Sequence, residues 1–71
     1  MFTVKHETSE GDSLDPGVSH VWSDKTGPHE TVVVEFVNGT NKRFDMGSIY
    51  VMNEAGKTIQ IYRLRNLNER N

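Results

Sequence analysis

The chain is 71 residues long, contains no cysteine, carries a formal net charge of −2 and is 34% hydrophobic. These values limit it to one domain, exclude disulfide bonds and thiolate metal sites, and place its apolar content below that of a typical globular protein. Residues 1–31 carry two lysines against six carboxylates, whereas residues 32–71 carry six cations against four carboxylates. The net negative charge disfavours ordinary nucleic-acid binding, which needs surplus cations, although the C-terminal half keeps a local excess.

Residues 1–30 predict an N-terminal strand followed by a loop-rich, partly flexible segment. The strand is FTVKH (Phe2 to His6), in which apolar and polar residues alternate. Serine, glycine, aspartate and proline dominate the next stretch, and Asp15-Pro16-Gly17 predicts a turn because Pro presets φ and Gly tolerates positive φ. VSHVW (Val18 to Trp22) predicts either a short strand or a segment that lays Trp22 onto the body.

Residues 31–65 predict an antiparallel β meander, and residues 66–71 form a polar tail. TVVVEFV is rich in β-branched residues, and Asn38-Gly39 after it is a strong hairpin signal. SIYVM (Ser48 to Met52) predicts the next strand, with Gly47 marking a break or bulge before it. Asn53 to Gly56 then turns the chain into TIQIYRL.

Alternation along these strands divides their side chains between two faces of the sheet. One face is purely apolar and is the predicted core: Val32, Val34, Phe36, Phe44, Ile49, Val51, Ile59 and Ile61. The other face is mixed, and includes Val33, Val37, Tyr50, Met52 and Tyr62 beside Glu35 and Gln60. Leu64 departs from this alternation, which predicts a bulge or a strand end near Arg63.

The predicted fold is therefore mainly β: a small antiparallel sheet of four to five strands with an irregular N-terminal segment. Curling of this sheet into an open SH3-like barrel is the economical arrangement. A flat meander that pairs across a dimer is the alternative, since so few strands leave two edges and one half-covered face.

No catalytic, metal or cofactor site is predicted. His6, His20 and His29 are too widely spaced for a compact ligand motif, and ordinary packing or surface roles are expected for them. Gly56-Lys57-Thr58 has the ending of a phosphate loop but lacks its earlier glycine, so it is interpreted as a hairpin turn. With no nucleophile elbow in so small a body, we do not expect an enzyme.

Two binding hypotheses remain. The first is a protein-binding face on the mixed side of the sheet, since aromatic residues and Met are enriched at interface cores; its residues are Trp22, Val33, Val37, Tyr50, Met52 and Tyr62. The second is a surface for single-stranded nucleic acid, in which stacking aromatics are rimmed by cations; its residues are Lys42, Arg43, Tyr50, Tyr62, Arg63 and Arg65.

The segment YVMNEAGKTI (Tyr50 to Ile59), preceded by VVVEFVNG (Val32 to Gly39), resembles a strand and hairpin found in short phage and prophage proteins of unknown role. The resemblance covers Val32 to Leu64 and concerns turn and core residues, so no binding residue is carried over. It implies a small accessory protein of a mobile element, of the kind that binds and modulates a host protein.

The functional expectation is thus a non-enzymatic, cytoplasmic phage-type protein that binds, and inhibits or modulates, a protein of the bacterial host. The start of the sequence has no basic flank before an apolar core, and no apolar run is long enough to cross a bilayer. The alternatives are a nucleic-acid-binding barrel and a structural subunit of virion assembly. A homodimer formed through an edge strand or through the mixed face is compatible with each of them.

Overall fold

A computed structural model describes residues 1–64 and shows a mainly β protein, as predicted. Its six strands are β1 (Phe2–Thr8), β2 (Gly11–Asp24), β3 (Thr31–Phe36), β4 (Asn41–Phe44), β5 (Gly47–Met52) and β6 (Thr58–Leu64). Within these residues no helix is long and apolar enough to cross a membrane. Arg65 and the predicted polar tail lie outside the described residues.

The strands form a single antiparallel sheet in the order β4-β3-β2-β1-β5-β6. The prediction of four to five strands was therefore short by at least one. The predicted meander over residues 31–65 is also wrong at one point, because β5 pairs with β1 and not with β4. The N-terminal third of the chain supplies β1 and β2. These two strands lie between the β3–β4 hairpin and the β5–β6 hairpin, which were predicted to be neighbours in the sheet.

The connection between β4 and β5 requires this sheet to curl. Only Asp45 and Met46 separate the two strands in sequence, so Phe44 and Gly47 lie at most about 11 Å apart. In the sheet order, however, β4 and β5 are four strand steps apart, which is about 19 Å across a flat sheet. The two ends of the sheet must therefore bend towards each other, but the sheet is not closed into a barrel.

The bend runs through β2, where the sequence predicted a loop. The first half of β2 pairs with β1 and its second half pairs with β3, with register shifts near Val18 in both ladders. Pro16 and Gly17 lie at this point, and Gly17 has a φ of 74°. Proline and glycine inside a strand are tolerated at bulges, so the residues predicted to form a turn instead bend a continuous 14-residue strand.

The two-residue connection is fixed by close contacts with β1. Gly47 has a φ of 90°, and a Cβ at this position would lie 2.7 Å from the backbone oxygen of Glu7. The His6 ring stacks on Phe44 with 4.3 Å between centroids, and its Nε2 donates to the Met46 carbonyl at 2.8 Å. Because a carbonyl has no proton to donate, this hydrogen bond places the proton on Nε2.

The concave side of the curled sheet contains one hydrophobic core of β-branched residues and Phe44. Its buried members are Val4, Val18, Val32, Val34, Phe44, Ile49 and Val51, and Phe2, Val21, Phe36, Tyr62 and Leu64 pack against them. The predicted inward positions on β3, β4 and β5 are therefore confirmed, whereas those on β6 are wrong. Ile59 and Ile61 are exposed, and Tyr62 takes the place on the core that was assigned to them.

A bulge at the start of β6 explains this error. Met52 faces Thr58, which is the expected parity, but the next pair is Val51 with Gln60. Ile59 is the extra residue between the two pairs, and one extra residue moves every later side chain to the opposite face. The bulge was predicted near Arg63 and lies instead at the beginning of the strand.

The register of β6 predicts opposite effects for two isoleucines. Ile49→Ala should lower the free energy of unfolding by about 2–5 kcal/mol, because Ile49 is fully buried. Ile59→Ala should change it by less than about 1 kcal/mol, because more than half of that side chain is exposed. Urea denaturation of both variants provides the measurement. A loss for Ile59→Ala as large as that for Ile49→Ala would show that the register is wrong.

Candidate protein-binding surface

A row of exposed and half-buried side chains crosses the convex face of the sheet on β2, β1, β5 and β6. Leu14 faces Lys5, Lys5 faces Tyr50, and Tyr50 faces Ile61. Residues directly opposite each other in an antiparallel ladder point to the same face, so these four side chains lie side by side. Leu14 is 62% exposed and Ile61 is 45% exposed, although both are large apolar residues.

Further apolar side chains adjoin this row. Met52 is two residues from Tyr50 on β5, lies on the same face and is half-buried. Ile59, the bulge residue, is 51% exposed beside Ile61 on β6. We call this surface the outer patch, and it consists of Leu14, Tyr50, Met52, Ile59 and Ile61.

Polar contacts hold the centre of the outer patch in place. The Tyr50 hydroxyl donates to Glu7 Oε1 at 3.0 Å, and Lys5 Nζ lies 5.7 Å from the centroid of the Tyr50 ring. Lys5 Nζ is also 3.7 Å from Asp12 Oδ2. The aromatic ring is therefore oriented before any partner arrives, which reduces the entropy lost when a side chain is ordered on binding.

The structure separates the six residues predicted to share a protein-binding face. Tyr50 and Met52 lie on the outer patch, but Tyr62 is on the concave face and packs against the core. Val33 is only 4% exposed and lies between Trp22 and Arg43 on β2 and β4. The predicted single face is therefore wrong: Trp22 is exposed in a different part of the sheet, and Val37 is exposed beyond the end of β3.

Leu14, Ile59 and Ile61 are the patch residues that sequence reasoning missed. Leu14 was placed in a loop because its neighbours are Ser, Asp and Pro, although it lies on the strand opposite Lys5. The sequence did carry a signal for Ile59 and Ile61. TIQIYRL also alternates through Tyr62 and Leu64, which are a second pair of large side chains able to face the core. The bulge at Ile59 determines which of these two sets faces the core.

The cations of the nucleic-acid hypothesis are not assembled into one groove. Lys42 and Arg43 lie on the edge strand β4, and Arg63 lies on β6 at the opposite edge of the sheet. Lys42 Nζ is 3.1 Å from Asp15 Oδ2, and Arg43 Nη1 is 3.1 Å from Asp24 Oδ2. The cations of Lys42 and Arg43 are therefore already paired with carboxylates, and Tyr62 packs against the core instead of being free to stack on a base. This placement of the side chains does not favour binding to nucleic-acid phosphates. Arg65 is outside the described residues.

Asp24 organises the end of β2 through both of its carboxylate oxygens. Its Oδ1 accepts from the backbone N–H of Thr26 at 3.0 Å and from the Thr26 hydroxyl at 2.7 Å. Arg43 donates to Oδ2, and it also donates to the Thr31 hydroxyl at 2.6 Å. The hydrogen bonds from Thr26 and then from Arg43 lower the pKa of Asp24 from 3.8 to about 2.

This pKa predicts a specific pH dependence of stability. Because the pKa is lower in the folded chain, Asp24 stabilises the fold above the unfolded pKa of 3.8, and this contribution is lost as the pH falls through about 2. The difference in unfolding free energy between the wild type and Asp24→Asn should therefore shrink between these two pH values. Urea denaturation across this range measures it, and a difference that does not vary with pH would contradict the assignment.

Two of the three histidines, His6 and His20, contact residues of other strands or connections. His6 stacks on Phe44 and donates to the Met46 carbonyl, while His20 Nδ1 is 3.2 Å from Glu35 Oε1. An open cleft of about 540 Å³ adjoins His6 and is also lined by Glu10, Asp12 and Asp45. Within residues 1–64 no three His, Asp or Glu side chains are grouped closely enough to hold a metal ion.

Comparisons with known proteins add nothing to this geometry, since no family model, curated protein or solved structure matches the chain.

Proposed function

We propose that the protein is a small binding module that docks on another protein through the outer patch. The observation that carries this proposal is the cross-strand row from Leu14 to Ile61, in which large apolar side chains remain exposed beside an oriented tyrosine. Contiguous exposed apolar surface on a small protein is typical of an interaction site.

The polar and charged residues around the outer patch support the proposal that its partner is a protein. Next to the row, on the same face, lie Asp12, Glu7, Ser48 and Arg63, which face one another across the four strands. An apolar centre with a polar and charged rim is the usual composition of a protein–protein interface. The lipid-facing or base-stacking alternatives would instead require a surplus of unpaired cations, and Lys5 beside Tyr50 is also near Asp12.

The resemblance of Val32 to Leu64 to phage and prophage proteins makes a protein of the bacterial host the expected partner. In this proposal the module acts in the bacterial cytoplasm without catalysing a reaction, and it inhibits or modulates its target by covering part of the target's surface. No residue of the module needs to react, so affinity and shape determine its effect.

Site-specific photo-crosslinking in bacterial cells tests this proposal. Leu14 and Val37 are equally exposed, at 62%, but only Leu14 is on the outer patch. A photoreactive phenylalanine analogue at position 14 should form a covalent adduct of defined mass with one partner, and the same analogue at position 37 should not.

Two charge substitutions provide the matched control. Met52→Glu places a carboxylate beside Tyr50 and should abolish the adduct formed from position 14, because a charge buried at an interface is costly. Val37→Glu should leave that adduct unchanged. Equal labelling from both positions, or an adduct that survives Met52→Glu, would contradict docking through the outer patch.

A further inference from the structure

The two edges of the sheet differ in how well they are protected against pairing with another strand. β4 has four residues, two of which are Lys42 and Arg43. Short length and cationic side chains are the usual protection of an edge strand. Pairing of β4 with a second β4 would also bring these cations close together, since two of its four positions are charged.

β6 lacks most of this protection. Its seven residues, Thr58 to Leu64, include one charged residue, Arg63, and no proline. Ile59 and Ile61 are β-branched and exposed. Among the described residues only β5 pairs with β6, so the other side of the strand presents backbone N–H and C=O groups without a strand partner. The bulge at Ile59 disturbs only the first part of the strand.

We propose that β6 pairs antiparallel with β6 of a second copy of this chain, around a twofold axis at Ile61. Ile61 is the middle residue of β6, so this register overlaps the whole strand. It places Ile61 opposite Ile61 of the second copy and Gln60 opposite Tyr62 of the second copy. Directly opposed β-branched side chains favour strand pairing.

Arg63, the one charged residue of β6, selects this register, and in it a second copy of the strand pairs without charge repulsion. With the axis at Ile61, the two Arg63 side chains are four residues apart along the strands, which is about 13 Å. This distance exceeds the screening length of about 8 Å at physiological salt, so the strand does not repel itself. Shifting the axis to Tyr62 would halve the separation, and shifting it to Gln60 would place Arg63 opposite Lys57.

Pairing in this register also joins the two outer patches. The row Leu14, Lys5, Tyr50 and Ile61 continues into the same row of the second copy in reverse order, which doubles the apolar surface on one side of a 12-stranded sheet. The contact area of one edge strand is below the roughly 800 Å² per partner of a standard interface, so the dimer is weak and concentration-dependent. Dimerisation uses the backbone edge of β6, whereas docking uses the side-chain face, and each can fail without the other.

Charge-swap complementation tests the dimer. In sedimentation equilibrium, the full wild-type chain should shift with rising concentration from its 8.1 kDa mass towards twice that value. Ile61→Lys and Ile61→Glu should each remain monomeric, because like charges then meet on the axis. An equimolar mixture of the two variants should recover the dimer, since Lys and Glu then face each other.

Leu14→Lys is the control, because Leu14 lies on the same row but three strands from the proposed axis. This variant should dimerise like the wild type, and both Ile61 variants should retain the wild-type circular dichroism spectrum, since Ile61 is nearly half exposed. A wild type that stays monomeric at every concentration, a dimer that survives Ile61→Lys, or a mixture that does not recover the dimer would each overturn the proposal.

Discussion

The two-residue connection between β4 and β5 is the constraint on which the rest of the structure depends. Strands that are four steps apart in the sheet can be joined by Asp45 and Met46 only if the sheet curls. Gly47 allows the close approach to β1, and the stack of His6 on Phe44 closes the concave side. The curl brings Val4, Val18, Val32 and Val34 together with Ile49 and Val51, which gives a short chain without disulfides one continuous core.

The same curl determines which surfaces remain available for binding. On the convex face Leu14 and Ile61 remain exposed and Tyr50 is half-buried. The bulge at Ile59 then determines which of the two alternating sets of β6 side chains is exposed, because it turns the isoleucines outward and Tyr62 inward. The exposed isoleucines of the outer patch and of the β6 edge therefore have one structural origin.

Sequence patterns predicted the mainly β class and the inward residues of β3, β4 and β5. These follow from local rules, since alternation and β-branched residues depend on the strand itself. The long strand β2 was missed because Pro16 and Gly17 form a bend only when β1 and β3 pair with the two halves of the strand. The face of β6 was missed because both of its alternating sets contain two large hydrophobic side chains, and a single bulge selects between them. The outer patch could not be predicted for the same two reasons, since it takes Leu14 from β2 and Ile61 from β6.

Through-space proton contacts in an NMR spectrum test the curled sheet most directly. The account predicts cross-strand contacts between β1 and β5, such as Val4 with Val51, and a contact between the ring protons of His6 and Phe44, whose centroids are 4.3 Å apart. A meander in which β4 pairs directly with β5 would instead give regular contacts between those two strands and none between His6 and Phe44. That second set would contradict the curl, and with it the core and the outer patch derived from it.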